Sequence, residues 1–287
     1  MLEVVLNVYS GRPNPQWTLT DAQENSFLSQ LDQVTKTTLV KPSGVLPRLG
    51  YRGFQVTRLP RSPQGPLSLF IQDQIIDFGQ FEPNRIADNR DLERWLLDTA
   101  KVSLPPKVRA SITNEINRPA SDTEKYLSAR LTGSQCPQCM AADAPAYNPA
   151  LWNIPAVQPF NNCYNYANDQ ITNTFAQPGR AAGVEPVNID CDDYQAAATA
   201  DGLAFAAGFA NPLAAGQGWY VALVVWPGVD FHWYRQDDNG CWSHKPGQTP
   251  VTNLDNSGNL IADPQHCDLG DYNFCCYMIT NRNVVIQ

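Results

Sequence analysis

Residues 229–245 read VDFHWYRQDDNGCWSHK. Val229–Gln236 is rich in aromatic and β-branched residues and reads as a strand. Asp238-Asn239-Gly240 turns the chain back, and Cys241–Lys245 reads as the returning strand of a hairpin. The length of that turn fixes the register. A three-residue loop with Gly240 in the left-handed region sets Asp237 opposite Cys241 and Tyr234 opposite His244, with His232 and His244 on one sheet face. A two- or four-residue loop sets Gln236 against Cys241 and sends the two histidines to opposite faces. Upstream, Pro227-Gly228 separates this hairpin from another apolar strand, Tyr220–Val225, so the sheet is antiparallel. Trp219, Tyr220, Trp226, Trp233, Tyr234 and Trp242 read either as its core or as the lining of a sugar- or peptide-binding cleft.

The helices around this sheet come earlier in the chain. Asn161-Asn162-Cys163-Tyr164 opens a helical pattern that runs to Phe175, stopped by Gln177-Pro178-Gly179, and a second helix is expected at 192–200. Asn162 is the expected N-cap. A cysteine at a helix mouth has its thiolate stabilised by unpaired N–H groups and the positive end of the dipole. Cys163 is therefore a candidate nucleophile, and the readings of a disulfide half or a small core residue stand beside it. A general base must also reach it, and His232 lies on a strand downstream. For the group that orients His232 the candidates are His244, Asn253 and Asp255, with the carboxylate of Asp255 preferred. For an oxyanion the backbone N–H of Cys163 would act with an amide from Gln158 or Asn161.

The pairing of Cys163-Tyr164 at the start of a helix with His232 in a later strand resembles the papain-like cysteine amidohydrolases in their compact NlpC/P60 and CHAP forms. The likeness covers about 160–250, and neither an Asp-Cys-Ser-Gly nor a Gly-His-Val stretch is present. It implies a helix packed on an antiparallel sheet and cleavage of amide bonds in peptides or peptidoglycan-type substrates. Acyl transfer of the transglutaminase kind would use the same residues.

Composition narrows the alternatives. The 287 residues carry a net charge of −8 and only 17% charged residues, with no basic run, which argues against nucleic acid and acidic membrane surfaces as partners. The apolar run Tyr220–Trp226 is too short to span a bilayer. The start, Met1-Leu2-Glu3-Val4-Val5, lacks the basic segment and cleavage site of a signal peptide. All 8 cysteines fall between Cys136 and Cys276, so the second half reads as stapled and the protein as extracellular. Adjacent Cys275 and Cys276 should point to opposite faces and have different partners. Cys136-Pro137-Gln138-Cys139 is half a zinc site with no second half, so bridging is the preferred reading. Asn253-x-Asp255-x-Ser257-Gly258 lacks the acidic twelfth position of a calcium loop and reads as a turn. Neither a metal nor a cofactor is expected.

The fold class is α+β in three parts. Residues 1–103 form a small α+β module without histidine, in which Thr20-Asp21-Ala22-Gln23 is a capping box. Its strands are expected at Leu2–Tyr9, Tyr51–Leu59 and Leu67–Asp77, with a helix over Asp88–Ala100. Residues 104–159 are a Pro/Ser/Asn-rich connector, and 160–287 the papain-like domain. The rival to the hydrolase is a disulfide-stapled secreted binding, matrix or toxin protein with no chemistry.

Overall fold

The computed structural model describes residues 1–34, 48–59, 67–78, 85–86, 90–118 and 136–287. The chain forms two compact units. One comprises Met1–Val8, Asn14–Leu46 and Gly50–Thr123, the other Tyr9–Pro13, Pro47–Leu49 and Glu124–Gln287, each as far as it is described. Both combine helices with antiparallel strands, so the α+β class holds.

The first unit carries β1 (Leu2–Leu6), β2 (Gln16–Thr18), α1 (Asp21–Gln33), β3 (Phe54–Arg58), β4 (Ser68–Gln72), β5 (Ile75–Asp77), β6 (Arg85–Ile86), α2 (Asp91–Asp98) and α3 (Pro106–Ile116). Its strands form one six-stranded sheet in the order β2-β1-β3-β4-β5-β6. In β1, Leu2, Val4 and Leu6 are buried and alternate with half-buried Glu3 and Val5. The capping box at Thr20 and Gln23 is formed in both directions. The expected strand Leu67–Asp77 is instead a hairpin, β4 and β5, turning at Asp73 (φ 52) and Gln74 (φ 70). Buried Glu93 of α2 braces that turn, accepting from the N–H groups of Asp73 and Gln74 and from Tyr51 Oη at 2.6 Å. The stretch expected as connector contains α3, opened by Pro106 at its first turn, and α3 belongs to the first unit. Residues 88–89 of the expected helix and 119–135 of the expected connector lie outside the described residues.

The second unit carries α4 (Pro149–Trp152), a 3₁₀ turn (Gln158–Phe160), α5 (Cys163–Ala167), α6 (Cys191–Ala200), β7 (Ala204–Ala206), β8 (Trp219–Trp226), β9 (Asp230–Gln236), β10 (Trp242–His244) and β11 (Asn273–Thr280). Its sheet is five-stranded, in the order β10-β9-β8-β11-β7. All eight residues of β8 are buried, which explains its unbroken apolar run: both of its faces are covered. β9 is equally buried yet carries Asp230, His232, Arg235 and Gln236. Such groups need partners inside the protein, because an unpaired buried polar group costs on the order of 1–3 kcal/mol.

The turn between β9 and β10 has three residues. Asp237 N–H donates to Cys241 O at 2.8 Å, Gly240 N–H to Asp237 O at 2.9 Å, and Gly240 has φ 83. His244 consequently pairs with Tyr234, and His232 and His244 share a face. Disulfide Cys136–Cys241 ties this turn to the preceding segment, and Cys191–Cys275 ties the start of α6 to β11. Cys275 is the extra residue of a bulge between Phe274 and Cys276, and Cys276 is free and buried, so the neighbouring cysteines do differ in partner. Cys136 is bridged and Cys139 is a free thiol.

Gly240 admits no side chain. A Cβ there would lie 1.7 Å from the carbonyl oxygen of Pro137, and its φ of +83 already disfavours one. Gly240→Ala should lower the stability of the second unit by about 2 kcal/mol or more in urea unfolding. An unchanged midpoint would mean that the turn is not held as described.

Candidate functional site

Asn162 accepts from the N–H groups of Tyr164 (3.0 Å) and Asn165 (3.1 Å), and Asn165 Oδ1 accepts from Asn162 N–H (3.1 Å), a reciprocal cap on α5. The helix then ends at Ala167 instead of continuing to Phe175. The asparagines cause this by bonding to the backbone of a compact loop. Asn165 Oδ1 also accepts from Ala176 N–H at 3.0 Å, while its amide donates to Gln170 O and Thr172 Oγ1. Asp169, Asn173 and Phe175 take positive φ of 52, 57 and 54, which no helix continues through.

Cys163 is a free thiol and fully buried. Burial pushes its pKa up, the negative charge of Asp230 pushes it further, and the backbone N–H of Trp233 offsets only part of this. The helix behind it is a single five-residue turn, too short to supply the dipole that the expected role requires. Neither a lowered pKa nor access from solvent, the two conditions for a reactive thiol, is met.

His232 and His244 are brought together. His232 Nε2 lies 2.8 Å from His244 Nδ1, and His244 Nε2 lies 3.0 Å from Leu254 O. A carbonyl only accepts, so His244 carries its proton on Nε2. With both rings neutral, His244 Nδ1 then accepts from His232 Nε2–H. Asp255 takes no part in this chain. Its Oδ1 accepts from the N–H groups of Ser257 (3.0 Å) and Asn259 (2.8 Å), and its Oδ2 from Asp268 N–H (3.1 Å), so it organises the turn that the sequence suggests there. The structure thus places His244, and not the preferred Asp255, against His232.

The oxyanion candidates are also committed elsewhere. Both amide hydrogens of Asn161 are used, to Val157 O (2.8 Å) and Asn173 Oδ1 (2.7 Å), and Gln158 Nε2 donates to Gln248 O (3.0 Å). The backbone oxygens of both residues instead receive Lys245. Its buried Nζ donates to Gln158 O, Asn161 O and Gly247 O, each at 2.6 Å, so its three hydrogens are fully engaged.

Sequence reasoning passed over three further charged residues that hold this region. Asp230 accepts from Ser10 N–H (2.5 Å), Gly11 N–H (3.2 Å) and Tyr272 Oη (2.6 Å), all in the same compact unit. Gly11 O in turn receives the amides of Asn162 (3.1 Å) and Gln177 (2.8 Å), and a Cβ on Gly11 would fall 2.3 Å from the Phe231 ring. Arg235 donates to Asp237 (2.9 Å), Asp169 (3.0 Å), Ala146 O (3.2 Å) and Tyr166 Oη (3.0 Å), with its guanidinium 4.1 Å from the centroid of the Tyr166 ring. Lys245 is the third. The available signal was the charge itself: Asp230 and Arg235 fall within the aromatic-rich strand β9, and Lys245 directly follows β10. Among the described residues no group of three His, Cys, Asp or Glu side chains is placed to hold a metal.

With the site in view, comparison with known proteins assigns the chain to a class: it belongs to a family of shell matrix proteins. A relative in that family is "Insoluble matrix shell protein 1" of Ruditapes philippinarum, 48% identical over 126 residues, which cover 44% of this chain and 82% of the relative. No family model matches the chain, and no solved structure does. This relationship overturns the expectation of a cysteine hydrolase acting on peptide or peptidoglycan-type substrates, and supports the rival reading of a disulfide-stapled matrix protein. The buried thiol and the amides committed to other carbonyls are the physical side of that correction. Together with the two disulfides, the relationship places the protein outside the cell, in agreement with the clustering of its cysteines. Among the described residues no helix is long and apolar enough to cross a membrane.

Two outcomes follow. In native protein at pH 8, iodoacetamide should label half-buried Cys139 well before Cys163, which should react only after unfolding. Rapid labelling of Cys163 would contradict its burial. Arg235→Met, which leaves Asp237 buried without its cation, should cost about 3–5 kcal/mol in denaturant unfolding, and adding Asp237→Asn should restore part of it.

Proposed function

We propose that the protein is a non-catalytic structural component of an extracellular shell matrix. The observation that carries this reading is the 48% identity over 126 residues with a protein named for the insoluble shell matrix. The interior of the second unit supports it. Lys245, Asn161 and Asp230 spend most of their hydrogen bonds on backbone groups, as residues do when they fix a loop framework, and two disulfides lock that framework. We also infer that the second unit uses a papain-like scaffold as a framework alone. The support is the order of its parts: a cysteine opening the short helix α5, α5 packed against β9, and a histidine on β9.

The test is location. Antibody staining and peptide mapping of the source organism's extracellular matrix should find the protein in the fraction that stays insoluble after mineral is dissolved. Recovery only from the soluble fraction, or from inside cells, would refute the proposal.

A further inference from the structure

The two ends of the second unit's sheet are finished differently. At one end β10 is covered by chain, through the bridges Trp242↔Ile261 and His244↔Thr252. At the other end β7 pairs, among the described residues, only with β11. An uncovered strand edge offers a row of backbone donors and acceptors to another strand, and proteins usually guard it with Lys, Pro, an inward charge or a bulge. β7 is Ala204-Phe205-Ala206: its shortness limits what it can pair with, but it carries no lysine, proline, inward charge or bulge. Phe205 at its centre is 60% exposed, a large apolar side chain where a guarding charge would be expected.

The surroundings are equally unguarded. Between Asp201 and Asp230 the sequence holds no Asp, Glu, Lys or Arg, and Ala207, Ala210, Pro212 and Ala214 in the loop after β7 are exposed. A Cβ on Gly202 would lie 3.7 Å from Val284 Cγ2, which sets the C-terminal segment beside the start of β7, and the next residue, Val285, is 66% exposed. On the other side, Asp201 holds Gly179 N–H (2.7 Å), and Gly179 O holds the N–H of Val184 (2.8 Å), whose side chain is 54% exposed. Phe205 thus lies in a stretch, residues 202–229, that carries no charge in a chain whose net charge is −8. The exposed charges beside Val184 are the Arg180–Glu185 pair, which neutralise each other.

We propose that this edge is a self-association surface and that its occupant is β7 of a second copy of the chain. Three features select a copy of itself over another partner. Ala-Phe-Ala is palindromic, so antiparallel pairing about a two-fold axis sets Phe205 against Phe205 and each alanine against an alanine. β7 and the chain that follows it, residues 202–229, carry no charge with which to recognise a charged partner. Two copies bearing −8 each repel over most of their surfaces, and approach edge to edge at β7 brings no like charges of that edge together. The pair would join two five-stranded sheets into one continuous sheet, closed by the cross-strand aromatic contact. The inference deepens the matrix reading by naming the contact through which the protein would assemble.

Sedimentation of the full, disulfide-intact chain tests it. Wild type should show a reversible monomer–dimer equilibrium at protein concentrations up to about 100 µM. Phe205→Asp should weaken association at least about tenfold, with its circular dichroism and melting temperature unchanged. In a Cys139→Ser background, Phe205→Cys should give a disulfide-linked dimer under mild oxidant. The proposal is overturned if wild type stays monomeric, if it pairs only after addition of matrix extract, or if Phe205→Asp associates as wild type does. It is overturned too if the Phe205→Cys protein fails to cross-link while wild type dimerises. The matrix reading is judged separately by location: a monomeric protein in the insoluble fraction would sink the edge and keep the reading, and a dimer absent from the matrix would do the reverse.

Discussion

The second unit depends on the three-residue turn at Asp238-Asn239-Gly240. Side chains alternate along a strand, so one residue more or less in that loop would move every side chain of β10 to the opposite face. With three residues, His244 comes within hydrogen-bonding distance of His232, and Lys245 reaches the carbonyls of Gln158 and Asn161. Ser243 meets the hydroxyl of Tyr166 at 2.6 Å. Gly240 permits the turn through its positive φ, and the neighbouring Cys241 fastens it to Cys136. A steric freedom at one residue thereby sets which polar groups of two buried strands find partners.

Much of this was legible in the sequence. Asp-Asn-Gly between aromatic runs announces a hairpin, and the three-residue version of its loop already places the two histidines on one face. The capping boxes at Thr20 and at Asn162 are local patterns and form locally. What escaped was of two kinds. Asp73-Gln74 turns a chain with two positive φ values, yet neither residue is the glycine or asparagine that advertises such a turn, so β4 and β5 read as one strand. The helix at Cys163 stops early because Asn161 and Asn165 bond to residues 170–176, and those bonds are only visible once the loop is closed. Asp255 looked like a partner for histidine because a carboxylate suits an imidazolium, but its own backbone neighbours are closer.

The site shows how residue types alone mislead about chemistry. A cysteine before a helix, a histidine on a strand and nearby amides are the parts of a nucleophilic centre. Here the same parts are arranged for rigidity: the thiol is sealed in, the amides hold carbonyls, and the lysine's three donors face three oxygens. Reactivity requires a group with unspent hydrogen-bonding capacity and a path for a substrate, and this interior provides neither at Cys163. The family relationship, to a protein named for the shell matrix, points away from catalysis as well.

The two disulfides interleave along the chain, since Cys191 lies between Cys136 and Cys241, and Cys275 lies beyond both. This sets a mechanical limit. If the chain were pulled from its ends inside a solid, the shortest covalent route from Cys136 to Cys275 would cross the first bridge and then follow the backbone for 275 − 241 = 34 residues. At about 3.5 Å per extended residue that route spans roughly 120 Å, against roughly 490 Å for the unbridged 275 − 136 = 139 residues. The second unit would therefore stiffen after a short extension, whereas the first, in which no cysteine occurs, could pay out its full contour length. One chain thus combines an extensible segment with a segment of fixed maximum length.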